Sequence, residues 1–383
     1  MISAAEAAAL LGVRKATLYT YASRGMLRSQ ADPGSHRRRL YRRAEVLGLK
    51  VRADARSGHG PVAAGALDWG EPVVDTAITA IGDGHFAYRG RDAVELAVGG
   101  ATFESVAELL WGAEAGAWPA ATVVESPGAP PGEALLCALP RLAVADPARH
   151  ATTPAGELRR GRCLLGAAVS VLGGPPDGGS LAARLATGLG AEASAAPLLD
   201  LALVLCADHE LNASTFAARV AASTGAELYA CVQAALATWS GPRHGGASDR
   251  VEDLLGAIAA PSDAAAEIGR RARLGVDLPG LGQRLYPDGD PRFPPLLAAA
   301  RAFAPDSPRL ATLEVATAVL ADAGHPPANL DFGLNAVAAA AELRPGGAAA
   351  IFAVGRMAGW IAHVLEQRQD PRLLRPRARY VGP

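Results

Sequence analysis

Two long apolar runs, "SAAPLLDLALVL" and "STFAARVAASTGAELYACVQAALATW", read as packed, Ala-rich helices, and between them the hydrophobic pattern breaks. Residues 206–219, "CADHELNASTFAAR", set Asp208, His209, Glu210 and Asn212 almost in succession inside a stretch otherwise suited to burial. An unpartnered buried charge is costly, so such an island is exposed, paired or turned toward a ligand. A capped junction between two helices is the plain alternative, and the pattern alone does not choose between them.

From about residue 70 onward nearly every segment reads as helix. Ala, Leu, Glu and Arg dominate, Gly and Pro punctuate, and strand-like alternation is scarce. The Gly/Pro-rich stretches 126–132 and 173–179 read as loops. The segment "AAAIFAVGRMAGWIAHVL" barely reaches membrane-spanning length and carries Arg356 near its middle and His363 near its end. It reads as a core helix holding a functional arginine rather than as a membrane span. No internal repeat, P-loop, strand-borne GxGxxG or zinc-ligand spacing is present, so no metal is expected.

The first sixty residues differ. Ser3 and Glu6 have the spacing of a capping box, an Ala/Leu face runs to Gly12, and a second helical stretch follows as "VRKATLYTYASRG". There Arg14, Lys15, Thr17, Tyr19 and Thr20 are placed to reach a groove while Val13, Leu18 and Ala22 pack. The next segment, "GSHRRRLYRRAEV" with Arg37, Arg38 and Arg39, reads as a basic wing able to neutralise phosphates. Residues 53–69 read as a Gly/Ala-rich linker.

Charge sharpens this division. The 383-residue chain has a formal net charge of −1, yet residues 1–57 hold 12 of its 37 Lys and Arg against 4 of its 38 Asp and Glu. A basic module joined to a mildly acidic body results, and duplex DNA is the partner such a module suits. Half the residues are hydrophobic, enough for two or three domains and a sizeable core. Cys137, Cys163, Cys206 and Cys231 show no CxxC spacing and no secretory signal precedes them. They are expected to be reduced, buried thiols of a cytoplasmic protein.

Candidate chemistry falls in five clusters: the 206–219 stretch and four others. "WSGPRHGGASD" sets His244 beside a glycine pair that lets a ligand or backbone approach closely. "GLGQRLYPDGDPRF" holds Gly280, Leu281, Gly282, Gln283, Arg284 and Arg292, and "PANLDFGLNAV" places Asp331 where a helix begins. Taken alone, Asp331 reads as a helix cap. The last cluster, "FAVGRMAGWIAHVLEQRQDPRLLRPRARYVGP", buries Arg356 and ends in a basic tail with Arg375 and Arg377. Arginines suited to carboxylates, two histidines and one aspartate fit the joining of a small dicarboxylate to a carbon acid, although spacing does not establish it.

In order, "ADHELNASTFAARV", "GPRHGGAS", "GLGQRLYPDGDPR", "NLDFGLNAV" and "GRMAGWIAHVLEQ…LLRPRARYVGP" resemble the signatures of citrate synthases, and "FAYRGRDAVELAVGGATFESVAELLWG" resembles that family's N-terminal segment. The resemblance covers roughly residues 70–383. It implies an all-α, two-domain helical subunit: a large domain over 70–205 and 311–383, a small domain over 206–310, and a homodimer with the site between domains. It further implies condensation of acetyl-CoA or another short acyl-CoA with oxaloacetate, with no cofactor beyond the CoA substrate. His244 would be the neutral donor to the thioester carbonyl and Asp331 the base. His209, Arg292, Arg356 and Arg375 would hold oxaloacetate, the last in a second subunit's site. Gly280, Leu281, Gly282 and Arg284 are the candidate CoA contacts. Residues 1–52 resemble the winged helix-turn-helix of the MerR and excisionase-like families.

Two departures bear on activity. The histidine that polarises the ketone in the family's third signature is Gln283 here, and the lysine facing the CoA phosphates is Pro287. A glutamine amide still donates a hydrogen bond but cannot become cationic. The stretch from Trp111 to His209 is also shorter than the family's. These departures favour the alternative, a weakly active or inactive sensor whose basic head makes it a transcriptional regulator. A third reading makes the head a protein-docking module.

Overall fold

The computed structural model describes residues 1–50 except 25, 33, 34, 44, 47 and 48, residues 74–376 except 83 and 125–127, and residue 382. Of residues 31, 32 and 35–38 it describes the backbone alone. The expected linker 53–69 and Arg377 lie outside the described residues. The chain divides into two compact units, Met1–Asp75 and Thr76–Pro383.

In the first unit, β1 (Ile2–Ser3) leads into α1 (Ala4–Leu11), α2 (Lys15–Ser23), β2 (Ser29–Asp32) and β3 (Ser35–Tyr41). The capping box forms: the Glu6 amide donates to Ser3 Oγ at 3.3 Å, and the Ser3 amide donates to Glu6 Oε2 at 2.8 Å. Gly12 ends α1 at φ 64°, a conformation glycine adopts without strain, and the chain turns into α2. The strands form an antiparallel sheet in the order β1-β3-β2. Leu18 and Tyr41 are fully buried between helices and sheet. Arg14, the N-cap of α2, and Lys15, Tyr19 and Thr20 on it are exposed, and Thr17 is half-buried. Arg39 is exposed and donates to Ser29 Oγ at 2.7 Å, while the side chains of Arg37 and Arg38 lie outside the described residues.

The second unit opens with a small antiparallel sheet, β4 (Thr79–Gly82), β5 (His85–Tyr88) and β6 (Arg91–Asp92), and is otherwise helical. Its helices are α3 (Ala93–Val98), α4 (Phe103–Trp111), α5 (Pro131–Ala145), α6 (Pro154–Val171), α7 (Leu181–Gly188), α8 (Ala196–Cys206) and α9 (Ala213–Ser223). There follow α10 (Leu228–Trp239), α11 (Gly246–Gly256), α12 (Ala264–Arg273), α13 (Phe293–Phe303), α14 (Pro308–Asp322), α15 (Leu330–Ala340) and α16 (Gly347–Gln367). The all-α expectation therefore holds for this unit. Cys206 and Cys231 are buried, but Cys163 is only partly buried and Cys137 is exposed. The expectation of four buried thiols fails because Cys137 shares the outer stripe of α5 with Glu133 and Pro140.

α16 is the centre of the unit. Up to Leu365 it is apolar on every face except at Arg356 and His363, which forces it into the core, and α4, α5, α6, α8, α9, α10, α11 and α15 all pack on it. It is the one helix among the described residues long and apolar enough to cross a membrane, yet 94% of that stretch is buried inside the protein. Gly355 and Gly359, one turn apart, let the end of α8 lie directly on this helix. A Cβ on Gly355 would sit 2.7 Å from Cys206 Cβ, and one on Gly359 would collide with the Ala207 carbonyl and the Asp208 carboxylate. The Gly359 amide donates to Ala207 O at 2.9 Å, closing the joint.

Gly359→Ala is expected to cost about 3 kcal/mol, since backbone and a fixed carboxylate must both move. Gly256→Ala, whose new methyl would meet nothing within 4 Å, serves as the control and should be neutral or mildly stabilising. Urea denaturation midpoints check both; equal midpoints would refute the joint.

Candidate active site

The polar island is a capped helix junction with a buried, hydrogen-bonded inner side. Asn212 caps α9, its Oδ1 accepting the Thr215 amide at 3.0 Å, while Asp208 and His209 turn inward. The chain makes this turn with Glu210 at φ 55°, a left-handed conformation unusual for a residue with a side chain. Asp208, fully buried, accepts from Thr79 Oγ1 at 2.6 Å and lies 3.3 Å from His363 Nε2. His363 Nδ1 faces the guanidinium of Arg219 at 3.4 Å. A guanidinium only donates, so Nδ1 presents its lone pair and Nε2 carries the hydrogen given to Asp208. Burial works against ionisation of Asp208, but His363, Arg356 and Thr79 bring its carboxyl below the usual range. The result is a fixed anion immediately before His209.

His209 is buried, edge-on to the rings of Phe86 and Tyr286, and its Nε2 is 3.0 Å from Tyr286 Oη. Burial, then the positive charges of Arg292 and Arg356, hold its imidazole well below the ordinary range, so it is neutral. The two arginines differ. Arg292 grips Asp290 in a bidentate pair, Nε to Oδ1 at 2.8 Å and Nη2 to Oδ2 at 2.7 Å. Burial disfavours its charge, but Asp290 outweighs this and its pKa is raised. Arg356 is 1% exposed, donates through Nε to Cys206 O at 2.7 Å and lies over the Phe352 ring at 5.0 Å. Among the described residues it has no acidic partner within salt-bridge distance, and burial lowers its pKa. Burying a guanidinium in this state is costly unless an anion pairs with it.

His244 follows the turn after α10, where Gly245 and Gly246 start α11. Glycine is required at 245, because a Cβ there would fall inside the Trp239 ring. His244 Nε2 lies 2.7 Å from Ser214 Oγ, which also accepts from Trp360 Nε1 at 3.1 Å and lies 2.8 Å from Asn212 Oδ1. The single hydroxyl proton serves either Asn212 or His244. When it goes to Nε2, the imidazole is left with Nδ1–H as a neutral donor. Burial, aided by Arg356, lowers the His244 pKa to about 4.

Asp331 is in the first turn of α15, and Asn329, not Asp331, is the cap: its Oδ1 accepts the Asp331 amide at 2.9 Å. The Asp331 carboxylate is therefore free for other work. Its Oδ1 accepts from Ser248 Oγ, one turn beyond His244, at 2.6 Å. Burial pushes its pKa up to about 6 against the pull of Ser248 and Arg292. A neutral imidazole and an acid poised near neutrality are thus tied to one helix start.

The third cluster is fastened to this acid. The Gly282 amide donates to Pro327 O at 2.7 Å, the Asn329 amide to Gly280 O at 2.9 Å, and Asn329 Nδ2 to Gly282 O at 3.0 Å. Gly280 and Gly282 take φ of 76° and 69° to permit it. Gln283 is partly buried, its Oε1 accepting the Leu285 amide at 3.4 Å. Leu281 is half-buried, and Arg284 and Pro287 are exposed. Arg375 is exposed and makes no hydrogen bond or ion pair among the described residues, to His209 and Arg356 or to any other. Among the described residues no group of three or more His, Cys, Asp or Glu could hold a metal ion.

Sequence reasoning missed Ser214, Ser248, Tyr286 and the Asp208–His363 pair. The serines sit inside quoted motifs, "NASTF" and "GGAS", where a hydroxyl near a candidate histidine was the available signal.

Residues 138–377, more than half of the chain, match the family model described as citrate synthase, C-terminal domain. Over 193 residues the chain is 38% identical to citrate synthase 2 of Bacillus subtilis, an alignment covering 48% of this chain and 50% of that protein. Over 197 residues it is 34% identical to the 2-methylcitrate synthase of Shewanella oneidensis, covering 48% and 50%. The chain therefore spans about half the length of these relatives. The fold is that of the Thermoplasma acidophilum citrate synthase solved with carboxymethyl coenzyme A and oxaloacetate, at TM-score 0.68 and 23% identity over 82% of this chain and 94% of that one. With its described core assembled around the residues of the matched segment, the chain belongs to the citrate synthase family.

Proposed function

We propose that this protein condenses a short acyl-CoA with oxaloacetate, releasing coenzyme A. The observation that carries the reading is Arg356, a fully buried guanidinium without a carboxylate in salt-bridge contact among the described residues, whose charge bears on both His209 and His244. One carboxylate of oxaloacetate supplies the missing partner, with Arg292 and His209 completing the grip. Asp331 removes a proton from the carbon α to the thioester, and His244 Nδ1–H stabilises the enolate oxygen. The enolate carbon attacks the ketone carbon, a C–C bond forms, and the oxygen of the former ketone takes a proton. Water then cleaves the thioester, giving the tricarboxylic acid and free thiol. The solved relative that holds oxaloacetate beside a CoA analogue supports this reading. Exposed Arg375 suits a homodimer in which each C-terminal segment enters the other copy's site.

The test is thiol release by the full chain with oxaloacetate and either acetyl-CoA or propionyl-CoA. No release with either ends the proposal, and the ratio of the two rates assigns the acyl group. Gln283→His should raise kcat about tenfold or more, because a histidine can polarise the ketone more strongly than an amide. An unchanged kcat would mean that Gln283 does not face the ketone.

A second reading rests on a separate observation, the exposed Arg14 and Lys15 at the start of α2 and the exposed Arg39 on β3 of the same unit. Residues 1–52 form a winged helix-turn-helix that binds duplex DNA, which would make the protein a regulator as well as, or instead of, an enzyme. Anisotropy titrations with duplex DNA should show log affinity falling with log salt at a slope of about −0.9 per phosphate neutralised. A salt-independent signal, or binding undiminished by removing residues 1–57, rejects it.

A further inference from the structure

We infer that Tyr286 is a positioning residue that fixes His209 as its Nδ1–H tautomer, aimed at the dicarboxylate. This rests on the condensation reading for the identity of the ligand, though not for the tautomer itself.

The argument starts from a count of donors. Tyr286 is 2% exposed, and His209 Nε2, at 3.0 Å, is the one hydrogen-bond partner of its hydroxyl among the described residues. A buried hydroxyl proton needs an acceptor. If His209 donated through Nε2, the tyrosine proton would have none, and the imidazole would present a bare lone pair at Nδ1. If tyrosine donates, both groups are satisfied by one bond and only Nδ1–H is left over. That N–H makes no hydrogen bond to the described residues, which leaves it for a ligand.

The ring is also held in place. Phe86 and Tyr286 meet it edge-on, with centroids at 5.9 and 5.6 Å and interplanar angles of 62° and 66°. Tyr286 itself is anchored by its amide, which donates to Gln283 O at 2.9 Å, and its ring centroid is 6.0 Å from the Arg292 guanidinium carbon. The residue therefore links the loop bearing Gln283 to the histidine and the arginine. At His244 a hydroxyl also lies against Nε2, Ser214 Oγ at 2.7 Å, but there the proton is shared with Asn212 Oδ1 at 2.8 Å, so the tautomer is not fixed in the same way. Each site histidine thus has a hydroxyl at Nε2 and an unoccupied Nδ1. In this chain the arrangement acquires weight from Gln283: with an amide at the ketone-polarising position, a correctly protonated His209 is the remaining imidazole donor on the oxaloacetate side.

The experiment uses the full chain labelled with ¹⁵N-histidine, with His209→Asn to assign the resonances. In the wild type, His209 should show a protonated Nδ1 and a pyridine-type Nε2. Tyr286→Phe, which keeps the ring and removes the oxygen, should give mixed tautomers. It should also raise the oxaloacetate dissociation constant about tenfold by calorimetry. A wild-type His209 protonated on Nε2 overturns the assignment without any variant, as does a Tyr286→Phe protein with unchanged tautomer and affinity. Absence of oxaloacetate binding by the wild type overturns the condensation reading instead, and the nitrogen shifts still decide the role of Tyr286.

Discussion

Replacing Asp331 by Asn should lower kcat by about a thousandfold, leave KM for oxaloacetate near its wild-type value, and make the protein more stable at pH 7.5. The first effect is the loss of a positioned base. The third follows from sign. Burial raises the Asp331 pKa to about 6, above its unfolded value. The folded state therefore holds the carboxylate at a disadvantage wherever it is ionised, and stability rises as pH falls through 6. Asn removes that disadvantage, a gain on the order of 1 kcal/mol for this partly buried side chain. Wild-type kcat should climb about tenfold per unit up to about pH 6 and then level off, as a base with that pKa requires. Rates flat from pH 5 to 8, or an Asp331→Asn enzyme retaining a tenth of wild-type activity, would remove Asp331 from the chemistry.

Arg356→Gln has the next largest expected consequence. Loss of a charge-assisted, two-point grip on a carboxylate should raise KM for oxaloacetate about a hundredfold. Stability should stay level or rise by about 1 kcal/mol. The wild type carries the desolvation cost of a buried cation that the Asp208 carboxylate offsets only in part and from beyond salt-bridge distance, and that cost is expected to match or exceed the lost bond to Cys206 O. Initial rates against oxaloacetate and urea midpoints measure both quantities. If Arg356 were merely structural, the variant would be strongly destabilised and KM would hold. Both substitutions are expected to harm the reaction while sparing the fold, as expected where strain is kept for function.

Much of this was legible beforehand, for particular reasons. His209 and His244 stood out because polar or glycine-flanked histidines interrupt an apolar pattern, and Arg356 because it lies inside an otherwise uncharged helix. Asp331 was ambiguous, since an acid at a helix start is more simply a cap. Only Asn329 taking that role frees it. The supporting hydroxyls could not be read. Ser214 meets His244 across 30 residues, Tyr286 meets His209 across 77, and Ser248 meets Asp331 across 83. No local periodicity encodes such pairings. The short β4–β6 sheet was missed for a different reason: its strands are too brief for alternation to register.

The three hydrogen bonds between residues 280–282 and 327–329 have a mechanical meaning. They weld the turn bearing Gln283 to the start of α15, so the amide and the acid behave as a single lever arm. Any displacement of this segment would swing both together, and their mutual spacing is preset by the weld.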